Sequence, residues 1–138
     1  MRRRSLVARG AMLAWGGLLA GCRSALRANL LPESLGAWRR TALVPAASPE
    51  PGPIPRGSIR RAQTARYESQ GAGAVDVVLF ELSSSADALD AVQRWTPSAD
   101  TVFFYRAEYF VVVRHAGADR KAVNLLVRDL NQNLTPEK

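Results

Sequence analysis

A chain of 138 residues with 19 basic and 12 acidic side chains, one histidine and one cysteine has room for a single ordinary domain behind its N-terminal segment. Four of the basic residues and none of the acidic ones fall in residues 1–21, so the remaining 117 residues carry only +3, scattered along the chain. That scatter speaks against a nucleic-acid face, and a lone cysteine excludes an intramolecular disulfide or a Cys-based metal site.

Residues 1–22, MRRRSLVARGAMLAWGGLLAGC, have the parts of an export signal. Arg2, Arg3, Arg4 and Arg9 form a basic start, and Ala11–Ala20 is an apolar run of the length that engages the export machinery. It is too short to span a bilayer, which takes about 20 apolar residues. Leu19-Ala20-Gly21-Cys22 closes the segment with small residues ahead of the only cysteine. This pattern resembles a bacterial lipoprotein signal, with Leu19–Cys22 as the lipobox. The resemblance implies cleavage between Gly21 and Cys22 and a diacylglycerol thioether, with further acylation (palmitate), on Cys22. Several acyl chains at about 0.8 kcal/mol per buried CH₂ make a stable anchor. The bland alternative makes Cys22 a small apolar residue ending the segment. Arg3-Arg4-Ser5-Leu6-Val7 also resembles a twin-arginine signal, so general secretory and twin-arginine export both stay open. The expected location is the cell envelope: the periplasmic side of an outer or inner membrane, or the outer face of a single membrane.

Past Cys22, residues 23–29 read as a tether. Leu30-Leu31-Pro32-Glu33-Ser34-Leu35-Gly36-Ala37-Trp38 is a compact apolar patch, a turn rather than a helix because Pro32 restricts Leu31. Leu30, Leu31, Leu35 and Trp38 are expected to pack on the main domain as a lid; a partner-binding hook is the alternative. Prolines 45, 49, 51, 53 and 55 then predict an extended linker. The expected division is therefore signal peptide 1–21, tether, patch and linker 22–58, and folded domain 59–138.

From Ile59 the elements become regular. Residues 60–69 predict a strand, residues 70–73 (QGAG) a glycine turn, and residues 75–82 (VDVVLFEL) a second strand with Val78, Phe80 and Leu82 on one face and Val77 and Leu79 on the other. Ser83-Ser84-Ser85 caps a helix over 86–95 with Ala86, Leu89, Val92 and Trp95 on its stripe, ended by Pro97. Residues 101–105 and 109–115 predict a hairpin around Arg106-Ala107-Glu108. Asp119 is the expected N-cap of a last helix reaching Leu134, with Val123, Leu126, Val127, Leu130 and Leu134 on one face. Strand–strand–helix–strand–strand–helix predicts a small two-layer α+β sandwich, an antiparallel sheet with both helices on one face.

LLPESLGAW, ARYES, VDVVLFEL with the following Ala-Asp-Ala-Leu helix, and the late YFVVV strand resemble a family of uncharacterised bacterial exported proteins. The resemblance spans most of Leu30–Leu134. It implies no activity and carries over no catalytic residue.

Chemistry is sparse. His115 stands alone, no His/Asp/Glu cluster has metal-ligand spacing, and no cofactor is expected. A hydrolase triad drawn from Ser83–Ser85, His115 and Asp119 lacks the exposed nucleophile turn such enzymes use. What remains is the aromatic hairpin. Phe103, Tyr105 and Tyr109 with Arg106 form a candidate binding surface, with Arg66 and Arg114 as further polar anchors; the alternative is that these aromatics are core with solvated edges. The expected function is a non-enzymatic binding or accessory module, held to the membrane by its lipid and meeting an envelope protein or glycan. The alternatives are an envelope hydrolase and a structural spacer.

Overall fold

The computed structural model describes residues 30–45 and 51–135; the signal, Gly21, Cys22 and the tether therefore lie outside the described residues. In chain order the elements are β1 (Ser34–Leu35), β2 (Trp38–Pro45), β3 (Ile59–Ser69), β4 (Gly73–Leu82), α1 (Ser85–Arg94), β5 (Thr101–Arg106), β6 (Tyr109–Arg114) and α2 (Arg120–Asn133). The strands form one antiparallel sheet in the order β1-β2-β3-β4-β6-β5. The protein is a small α+β fold of antiparallel sheet and two helices, as the sequence order predicts.

β4 explains the layering. It is dense in β-branched and aromatic residues, and its side chains alternate between two cores. Val75, Val77 and Leu79 join Val123, Leu126, Leu130 and Leu134 under α2. Val78, Phe80 and Leu82 join Ala88 and Ala91 under α1. Each helix thus forms its own helix-on-sheet layer, on opposite faces, where a shared face was expected. A strand with no polar alternation needs cover on both sides, and one helix per face supplies it.

The N-terminal patch belongs to the sheet. β2 pairs with β3 from Arg39 opposite Glu68 to Pro45 opposite Gln63, so the folded unit takes in residues 30–45 and does not begin at residue 59. A bulge at Thr41 shifts the register between Arg40 and Ala42. Trp38 and Leu43 consequently both reach the α2 core in spite of their odd spacing. The expected linker is also anchored where described. Ile54 is buried in the α1 core, and Gly52, at φ +55°, lies so close to Trp95 that a Cβ there would come within 2.9 Å of the indole ring.

Both helix starts follow their caps. Ser84 Oγ accepts the Asp87 amide at 3.1 Å, and Asp119 Oδ2 accepts the Ala122 amide at 2.9 Å. The stripe of α2 is the predicted one. That of α1 is displaced: Ala88 and Ala91 are buried while Ala86 and Leu89 are exposed. Small side chains bring α1 close over Phe80 and Phe110, which leaves no room there for Leu89. The β5–β6 turn closes in two residues, with Ala107 at φ 52° in the left-handed region where glycine is favoured.

Candidate functional site

The serine–histidine arrangement does not assemble. Asp76 pairs with Arg114, which puts His115 level with Val75 and eight residues along β4 from Ser83. At about 3.3 Å per residue that is roughly 26 Å. Each member also has a structural task. Ser83 Oγ donates to the Ser58 carbonyl at 3.2 Å, Ser84 caps α1 and Asp119 caps α2. His115 is buried where β6 ends; its amide donates to the Asp100 carbonyl at 2.9 Å and continues the ladder by one residue. Among the described residues there is no group of three His, Cys, Asp or Glu side chains able to hold a metal ion.

The aromatic hairpin is divided between the faces. The β5–β6 register puts Phe103 and Tyr105 on the α1 side, opposite Val112 and Phe110, and Arg106 on the α2 side, opposite Tyr109. Tyr109 is buried, and Phe103 packs against the α1 core with its ring 6.3 Å from Phe110. Phe103, Tyr105, Tyr109 and Arg106 therefore do not make one open surface, which corrects the expectation from sequence. Tyr105 and Arg106 alone among the four are exposed, at the end of the sheet-edge strand β5.

Among the described residues two surfaces remain open. The first is the part of the α1 face beyond the helix, where Ala42, Arg66, Asp76, Arg114 and Thr101 form one row across five strands. Arg66 Nη1 meets Asp76 Oδ1 at 3.2 Å with both side chains about half exposed, and Arg114 is exposed on the other side of Asp76. Arg66 and Arg114 are thus on the surface as expected, but Arg106 is on the opposite face. The second is the outer edge of β5.

A further cluster carries no motif in the sequence. Three side chains grip three consecutive carbonyls of the incoming chain: Asn133 Nδ2 donates to Leu30 O at 3.4 Å, Arg40 Nη1 to Leu31 O, and Tyr67 Oη to Pro32 O at 2.6 Å. Trp38 Nε1 adds a bond to the Ala122 carbonyl of α2 at 3.1 Å. Burial pushes the Tyr67 hydroxyl up to about 12, with the Arg40 guanidinium pulling weakly the other way. The signal that points to it is the polar tip on otherwise core residues. A buried Tyr or Trp needs a hydrogen-bond partner, and irregular backbone beside Pro32 offers free carbonyls.

The chain has no match among protein-family models, curated proteins or solved structures. Among the described residues no helix is long and apolar enough to cross a membrane.

Proposed function

We propose that this protein is a lipid-anchored lipoprotein of the cell envelope whose domain acts as a non-enzymatic binding or accessory module. The observation that carries the reading is Leu19-Ala20-Gly21-Cys22 directly behind an Arg-rich start and a short apolar run. The gripped Leu30 is eight residue steps from Cys22, at most about 29 Å when extended. An acylated Cys22 would keep the domain within that reach of the lipid surface, where its open sheet surface meets envelope proteins or glycans. The dispersal of Ser83–Ser85 and His115 to opposite ends of the sheet removes the support for the hydrolase alternative.

Cys22→Ala tests the anchor. Cells fed a clickable fatty acid are expected to label the wild-type chain and not the variant, and the variant is expected to leave the membrane fraction. Equal label in both would overturn the lipoprotein reading.

A further inference from the structure

The two edges of the sheet are built differently. On one side β1 has two residues, and β2 behind it carries the Thr41 bulge and ends at Pro45. Short strands, bulges and prolines are the usual guards against edge-to-edge pairing. On the other side β5 runs six residues, TVFFYR, in unbroken register with β6 and without proline, lysine or bulge. Among the described residues β6 is its only strand neighbour.

The direction of its backbone groups follows from one bond. Asp100 O accepts the His115 amide, so Asp100 turns inward toward β6, and by alternation Val102, Phe104 and Arg106 do the same. Phe103 and Tyr105 therefore turn their N–H and C=O groups outward, and Thr101 its C=O, while the Thr101 N–H already donates to the Ser98 carbonyl at 3.2 Å. The side chains add charge at the two ends. Asp100 and Arg106 are exposed, lie on the same side of the ladder, and have no ion-pair partner among the described residues.

We propose that β5 is a homodimer interface, in which two copies pair antiparallel across a two-fold axis at Phe103 and fuse their sheets. In this register Phe103 pairs with Phe103 of the second copy through both backbone bonds, and the Tyr105 N–H of each copy faces the Thr101 carbonyl of the other. Arg106 then stands opposite Asp100 of the second copy, at both ends. A shift of two residues either way removes both Arg106–Asp100 pairs, setting Arg106 against Val102 or Ser98 and Asp100 against Glu108 or Phe104, so charge complementarity selects this register. The exposed Tyr105 gains Thr101 of the second copy as its neighbour. A two-fold axis normal to the sheet puts both α2 faces, and with them both Leu30 ends, on one side of the dimer. The pairing itself is independent of the lipoprotein reading.

Sedimentation velocity of the full chain in density-matched detergent tests it. Wild type is expected to reach a monomer–dimer equilibrium. Arg106→Asp alone and Asp100→Arg alone each create two like-charge pairs and are expected to weaken self-association about tenfold or more. The double reversal restores opposite charges and is expected to return within about threefold of wild type. Both positions are exposed, so the fold is not at risk, and circular dichroism of each variant checks this. In parallel, Thr101→Cys/Tyr105→Cys is expected to give a disulfide-linked dimer on mild oxidation, because paired Cα atoms about 5.5 Å apart suit that bond; wild type, with Cys22 alone, is the control. A monomeric wild type, single reversals without effect, a double reversal that fails to recover, or no cross-link above the control would each overturn the proposal. Protection of β5 amides from hydrogen exchange by a different envelope protein, with the chain itself monomeric, would do the same.

Discussion

The two faces of the sheet are covered by unequal means. Under α2 lie large side chains, among them Tyr67, Leu79, Leu126 and Leu130, and the incoming segment adds Leu31, Leu35 and Trp38. Under α1 the helix contributes only Ala88 and Ala91 to the fully buried set, with Val92 and Trp95 partly exposed, and beyond it the sheet is open and charged. Apolar area removed from water is the main stabilising term, about 25 cal/mol per Å². The α2 side therefore contributes more of the fold's stability, and the α1 side leaves more of its surface exposed. Deletions should reveal the difference. Trp38→Ala is expected to cost about 3–5 kcal/mol and Leu126→Ala or Leu130→Ala about 2–5 kcal/mol, whereas Trp95→Ala, at a partly buried site, should cost clearly less. Thermal melts rank the four variants. If Trp95→Ala proves as damaging as Trp38→Ala, the faces are equal and the comparison fails.

The same contrast accounts for what sequence reading reached. Residues 59–134 announce themselves: Val-rich strands, Ser84 and Asp119 at helix starts, and the Leu126–Leu130 spacing all agree with local propensity. β2 does not. In WRRTALVP the Thr41 bulge inverts the alternation halfway, so Trp38 and Leu43 share a core that no period-two pattern would join. The opposite placement of the helices is equally hidden, because α1 packs through Ala88 and Ala91, whose small side chains give a weak apolar stripe. In the hairpin, sequence leaves core and surface undivided for a related reason. Composition shows how many aromatic residues it holds, but the register that sends Phe103 and Tyr109 to different faces belongs to the turn at Ala107-Glu108.

The grip on the incoming chain sharpens the comparison, since it ties β1 and β2 to the α2 side alone. Tyr67→Phe keeps the ring packed and removes the bond to the Pro32 carbonyl. The expected loss is about 1–3 kcal/mol, the range for a buried acceptor left unsatisfied. It also carries a pH signature. The Tyr67 hydroxyl titrates near 12 in the fold, because burial disfavours the phenolate, and near 10 when unfolded. Its contribution is therefore fully present below pH 10 and is lost as pH rises from 10 toward 12, where the unfolded chain has released a proton that the folded chain still holds. Urea melts of wild type and Tyr67→Phe across that window are expected to converge as pH rises. A constant gap between them would mean that the hydroxyl is not desolvated as its position demands.

The smallest effect separates the two helices. Ser84→Ala and Asp119→Ala each remove one cap, at about 0.5–2 kcal/mol, but the consequences should differ in kind. α2 is held by Val123, Leu126, Leu130 and Leu134, all buried, so its amides exchange mainly when the whole domain opens. α1 rests on two alanines and partly buried neighbours, so it can open while the sheet stays intact. Hydrogen exchange is expected to show faster exchange confined to residues 85–94 in Ser84→Ala. In Asp119→Ala the change should be smaller past the first turn and should track global stability. The Ser84 variant also bears on mechanism, because a hydroxyl that serves only as a cap can be lost with no change beyond that local opening. Uniform acceleration across the domain in Ser84→Ala would show that α1 is as firmly built in as α2, and that the open side of the sheet is no less rigid than the closed one.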